Sequence, residues 1–221
     1  MSTLQELVRY CSEASHLGAL LLTGEWGCGK TYLIEKELAE ALRDTHFIVR
    51  VSLLGVDSVD AMNSAVRKQW LSVCTPFLSK VKQGKDKMKR NSLLSAIDTV
   101  LKSLNPVSGN IASAIVTVDP LEYIPLDPVV EDYHDKGVKK AVVLVFDDLN
   151  RSNLGWEEVM GNINEYCENL GFKTIIIANE AAMKASPTFD AVTYNMLKEK
   201  TIEGLNVRVD FQGEQYVFDV K

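Results

Sequence analysis

The sequence predicts a parallel α/β fold in three layers, a five-stranded sheet held between helices. Three observations predict it. Five short runs, apolar or alternating, recur along the chain and are separated by helical patterns. Two of those runs are continuously apolar, as strands buried on both faces are. The first run opens into a glycine-rich loop and then a helix, the order of a phosphate-binding turn.

Thr3-Leu4-Gln5-Glu6 has the form of a capping box and opens a helix with Leu4, Leu7, Val8 and Cys11 on one face. That helix packs on the sheet edge or beside a bound nucleotide. Residues 18–23 follow as a short buried strand. Gly24-Glu25-Trp26-Gly27-Cys28-Gly29-Lys30-Thr31 then fits Gly, four residues, Gly-Lys-Thr, the P-loop pattern. Its glycines allow a tight turn and close approach of the backbone to a polyphosphate. Successive N–H groups form an anion nest at the positive end of the next helix. Lys30 is set to reach the outer phosphates and the Thr31 hydroxyl to bind Mg²⁺. Glu25 and Trp26 within the loop, and Tyr32 just after it, join the nucleotide-binding set. Residues 32–44 continue as a helix, with Leu33, Ile34, Leu38, Ala41 and Leu42 as its buried stripe.

Residues 46–53 alternate, with Phe47, Val49, Val51 and Leu53 on one face and Arg50 and Ser52 on the other. This is a strand covered more on one side. Gly55 turns the chain, and Asp57 or Ser58 can cap the next helix. Val59, Met62, Val66, Trp70 and Val73 recur at helical spacing and read as core.

Residues 74–138 read as a mostly helical insertion into the core. Lys80, Lys82, Lys85, Lys87, Lys89 and Arg90 make a basic run, either a solvated face or a contact for an acidic partner or nucleic acid. Residues 91–104 fit an amphipathic helix, and 119–127 a proline-rich extended connector. Pro106 to Gly109 breaks that helix, and residues 111–118 fit either a helix or a strand.

Residues 141–146 (Ala-Val-Val-Leu-Val-Phe) are continuously apolar and end in Asp147-Asp148-Leu149-Asn150-Arg151, the Walker B pattern of an apolar run and two acids. Asn153 is placed to cap the following helix, and Gly171 to end it. Residues 173–178 form a second buried strand that ends at Asn179. A helix over 190–200 and an alternating strand over 205–211 complete the reading.

The two continuous strands belong in the middle of the sheet and the two alternating ones at its edges. This matches the additional-strand ATPase core, with sheet order fifth, first, fourth, third, second. Residues that directly follow parallel strands share one rim. Lys30, Thr31, Asp147, Asp148 and Asn179 should therefore meet at one site. There Asp147 holds Mg²⁺ beside Thr31. Asp148 is the candidate base for attacking water, and Asn179 the hydrogen-bonding partner of water or γ-phosphate. Asp148 is one carbon shorter than the glutamate common at this place, so hydrolysis is expected either to be slow or to need closure of the site. Arg151 either reaches a neighbouring subunit's nucleotide or pairs with Asp148 or another acid.

Composition narrows the classes. An apolar content of 46% suffices for a real core. A net charge of −6 argues against a general nucleic-acid surface. The four cysteines show no paired metal spacing, which suits a reducing cytosol. The start has no signal-peptide pattern, and no apolar stretch is long enough to span a bilayer.

The Gly-Glu-Trp-Gly-Cys-Gly-Lys loop resembles the Gly-Glu-Trp-Gly-Ser-Gly-Lys signature of KAP-type P-loop NTPases, and Asp147-Asp148-Leu149-Asn150-Arg151 resembles their Asp-Asp-Leu-Asp-Arg. Residues 51–56 and 198–202 are similar to segments of bacterial members. The resemblance implies a P-loop NTPase domain, taken over 1–221, that binds ATP and Mg²⁺ and hydrolyses ATP, with Lys30, Thr31, Asp147 and Asp148 in the roles given above; Asn179 joins them in catalysis by its place at the strand end. It also implies a module of a larger assembly, a homo-oligomer or a partner-bound protein, with several bacterial members serving in defence against phages. Asn150 departs from the family acid and Cys28 from its serine. The family's frequent membrane-spanning insertion is missing, which places this chain in the cytoplasm. The chain also ends where a lid or downstream domain usually begins, so it is either a fragment or a core that needs a partner. The alternative is a nucleotide-gated switch with negligible turnover.

Overall fold

The computed structural model describes residues 2–14, 18–79, 126–132, 138–185, 191, 202–208 and 217–219. The elements in chain order are α1 (Thr3–Ser12), β1 (Leu20–Thr23) and α2, which is continuous through Lys30–Tyr32, Leu33–Leu38 and Ala39–Ala41. Next come β2 (His46–Ser52), α3 (Val59–Ser79), β3 (Val129–Asp132) and β4 (Val138–Asp147). A 3₁₀ turn (Leu149–Arg151) leads to α4 (Trp156–Asn164, continued by Glu165–Asn169). Then follow β5 (Lys173–Ala178), α5 (Glu180–Lys184), β6 (Ile202–Arg208) and β7 (Val217–Asp219).

Five parallel strands form the centre of the sheet, in the order β2, β4, β5, β1, β6. This is the expected fifth, first, fourth, third, second order. Two antiparallel strands were not expected. β3 pairs with the start of β4, and β7 pairs with β6, so β6 is not an edge.

The strand periodicity of two sends neighbouring side chains to opposite faces and builds two cores. Leu144 and Phe146 of β4, Ile176 of β5 and Leu21 of β1 enter one core with Met62, Val66 and Trp70 of α3 and Val159 and Ile163 of α4. Val143 and Val145, Ile175 and Ile177, and Leu20 and Leu22 enter the other with Leu7 of α1 and Ile34 and Leu38 of α2. These are the three layers. On β2 the alternation is as read: Val49 and Val51 are buried, and Ser52 on the other face is exposed.

Several local details differ from the sequence reading. The capping box of α1 uses Ser2 and Gln5, not Thr3 and Glu6. Thr3 is buried against the body of the protein and cannot turn back to the helix end. α4 starts after Gly155, not Asn153, whose N–H instead donates to the Val56 carbonyl at 2.8 Å. Ser58 does cap α3, accepting the Ala61 N–H. Gly171 takes a φ of 74°, the left-handed geometry of a helix stop. α3 runs on to Ser79, past the expected start of the insertion, and β3 occupies part of its far end. The basic run at 80–90, the helix at 91–104, residues 106–118, the connector over 119–125 and residues 192–200 of the last helix lie outside the described residues. Among the described residues, no helix is long and apolar enough to cross a membrane.

Candidate active site

The C-terminal ends of β1, β4 and β5 open onto one hollow of about 280 Å³. The loop between β1 and α2 forms one wall. Gly27 and Gly29 adopt φ of 78° and 88°, conformations that favour glycine over residues with a Cβ. Residues 29–32 line the hollow, and the first N–H groups of any helix lack partners inside it. Leu33 N–H donates to Gly29 O at 2.8 Å and starts the α2 ladder. Cys28 is buried.

Lys30 is buried, and its ammonium donates to the carbonyls of Gly24 and Glu25, both at 2.8 Å. The lysine thus holds its own loop closed. Glu25 is exposed, and Trp26 and Tyr32 stand out at the mouth, 65% and 61% exposed. Gly24 and Glu25 reach the site through backbone carbonyls, whereas Trp26 and Tyr32 line the hollow.

Across the hollow, Thr31 Oγ1 donates to Asp147 Oδ2 at 3.1 Å. The opposite oxygen, Oδ1, accepts the Asp148 N–H at 2.8 Å. Asp147 is buried, so its charge needs compensation, and Arg50 supplies it. The Arg50 Nε and Nη2 both reach Oδ2, at 2.9 and 2.8 Å, while Nη1 reaches Glu35 Oε1 at 3.0 Å.

Asp148 sits at φ 59°, the one positive-φ residue other than glycine among those described. Aspartate tolerates that region better than most side chains. Its carboxylate accepts the Ser52 hydroxyl at 2.9 Å and lies 3.6 Å from Arg151 Nη1. Arg151 also stacks over the Trp26 ring, 5.7 Å from its centre. Arg151 therefore pairs with Asp148, the plainer of its two expected roles. Asn179 is buried at the end of β5 and lines the hollow. Its Oδ1 accepts the Ala182 N–H at 2.9 Å and caps α5, so only its NH₂ group is directed to other work.

All five residues expected at one rim line this hollow: Lys30, Thr31, Asp147, Asp148 and Asn179. Arg50 and Ser52 were not anticipated as site residues. The signal was present in β2, where they form the polar face of an alternating strand. Only the register makes it readable: Ser52 lies opposite Asp147 and Arg50 opposite Val145. Asn150 also lines the hollow.

A family model described as the KAP family P-loop domain matches residues 2–200. No curated protein matches the chain.

Proposed function

The chain belongs to the KAP family of P-loop domains, and on that premise we propose that it binds ATP with Mg²⁺ and hydrolyses the β–γ phosphoanhydride bond. Family membership carries nucleotide binding and hydrolysis as a class. ATP, the metal and the residue roles are our reading. The observation that carries it is the meeting of Thr31 and Asp147 at 3.1 Å, beside a glycine loop that holds Lys30.

Thr31 and Asp147 are hard oxygen donors. They lie close enough together that both could hold one Mg²⁺, which prefers such oxygen ligands. A metal held by Thr31 and Asp147 would supply positive charge to offset that of the phosphates. The backbone N–H groups of residues 27–31 cradle the phosphates, and Lys30 exchanges its loop carbonyls for phosphate oxygens. Asp148 accepts a proton from water as the water oxygen bonds to the γ-phosphorus. The bond to the bridging oxygen breaks, and ADP leaves with its electron pair. The Asn179 NH₂ group donates to the γ-phosphate or to that water. The Trp26 and Tyr32 rings flank the mouth.

A second reading is a nucleotide-gated switch with negligible turnover. Asp148 favours it, because Ser52 and Arg151 engage its two oxygens. Multiple-turnover phosphate release from the purified chain would exclude it. In either case we take the domain as one unit over 1–221 with its insertion at 74–138. It works in the cytoplasm as an oligomer or with a partner, coupling nucleotide state to assembly or signalling. The likeness to bacterial members extends this to defence against phages.

The test is phosphate release and nucleotide-dependent mass, on the wild type and Lys30→Ala together. The wild type should release phosphate only with Mg²⁺, and Lys30→Ala should neither bind nor turn over. A wild type that binds no nucleotide would remove the reading.

A further inference from the structure

From the geometry around Asp147 we infer that Arg50 is an internal cation occupying the metal-facing oxygen of that carboxylate, and that a divalent metal bound to nucleotide must displace it. The inference rests on the proposed metal–nucleotide site and adds a control to it.

Oδ2 is the Asp147 oxygen that Thr31 reaches, so it is the one a metal held by both residues would take. Oδ1 is held by the Asp148 N–H, which the tight turn after β4 fixes in place. Oδ2 already receives Arg50 Nε, Arg50 Nη2 and the Thr31 hydroxyl. A carboxylate has about four lone-pair sites, two on each oxygen. Three donors on one oxygen leave no direction for a further cation. A metal at Oδ2 must displace donors there, and the guanidinium supplies two of the three. Arg50 is partly exposed and has a second seat, Glu35 on α2, whose side chain is itself 47% exposed.

The arrangement also explains why Lys30 is not the compensating charge for Asp147. Its ammonium donates to two loop carbonyls and lies 3.6 Å from Cys28 Sγ. In this state Asp147 would be buried without a cation if Arg50 were absent, which is unfavourable. Arg50 thus compensates the carboxylate charge and holds Asp147 beside Thr31 before ligand arrives. In return it competes with the metal. Arg50 is a positioning residue here, acting through Asp147.

The test reads binding, not turnover. A fluorescent ATP analogue is titrated onto the wild type, Arg50→Gln and Glu35→Gln at Mg²⁺ concentrations rising from a chelated baseline. Arg50→Gln should lower the Mg²⁺ concentration for half-maximal binding by about tenfold, the effect of no longer breaking a charged hydrogen bond. Glu35→Gln removes the second seat, tightens Arg50 on Asp147, and should raise that concentration. An unchanged or higher Mg²⁺ requirement in Arg50→Gln overturns the inference while leaving the site reading intact. Should Arg50→Gln not fold, the Glu35→Gln shift decides alone: a rise supports the competition, and no change or a fall overturns it. A folded wild type that binds no analogue at any Mg²⁺ concentration removes both.

Discussion

Thr31 and Asp147 lie 116 residues apart in the chain and meet through one hydrogen bond of 3.1 Å. The sheet order accounts for this. β1 and β4 both flank β5 and run parallel, so the loops at their C-terminal ends emerge on the same rim. Neither residue could reach the other if one strand were reversed.

Thr31→Ala removes that bond and the proposed metal donor together. Mg²⁺-dependent phosphate release should fall about tenfold or more, the equivalent of losing one hydrogen bond to a charged group. Thr31→Ser should retain most of it. The check is steady-state phosphate release at saturating nucleotide for both variants.

Asp148→Asn should keep nucleotide binding and lower turnover by about 10²–10⁴, the usual worth of a positioned base. Asparagine also accepts the left-handed backbone at this position, so the variant tests chemistry without adding strain. Unchanged turnover in single-turnover kinetics would remove Asp148 from the mechanism.

Tyr10→Phe tests how α1 is anchored to the sheet. The buried hydroxyl lies 2.8 Å from Gly18 O and 2.9 Å from Thr174 O, and accepts the Thr174 N–H at 3.0 Å. Its loss strands a buried N–H. The expected cost is about 1–3 kcal/mol in denaturant unfolding. Burial also pushes the phenol pKa well above its ordinary range.

His46 should shape the acid side of the stability curve. Burial pushes its pKa down and nearby Lys173 adds to this, although the Cys11 carbonyl at 3.1 Å from Nε2 opposes it. The folded state therefore prefers the neutral ring. Its contribution is present above the ordinary value of about 6.5 and lost as pH falls through that value toward the lower folded one. In thermal melts from about pH 8 to 5, His46→Gln should lose less stability than the wild type across this window. Parallel curves would contradict the assignment.

The features legible in the sequence were those set by local chemistry over several residues. Continuous apolar runs identified β4 and β5 as central, and the alternation of Val49 and Val51 with Arg50 and Ser52 identified β2 as one-sided. The glycine loop announced both its own turn and the helix after it. Features decided by a single contact were harder to read. Ser2 caps α1 because Thr3 is needed inside, and Gly155 begins α4 because the Asn153 backbone is tied to Val56. The wide π turns at Leu33–Leu38 and Glu165–Asn169 have no local marker, since their composition suits an ordinary helix. β3 and β7 are short and join the sheet only through their partners. Asn179 was read for its amide, yet half of that amide is spent on α5.

The pairing of β2 with β4 has a consequence for how this protein can change over time. Ser52 meets Asp147 and Val51 meets Phe146, so each side of β2 is committed to one environment. One residue gained or lost inside β2 would exchange those sides, driving a guanidinium toward Phe146 and two valines toward the acids. Point replacements along β2 can be graded and compensated, but length changes there would disable the core and the hollow in one step. Sequence drift in this strand should therefore proceed by substitution, with its spacing to the acidic pair left untouched.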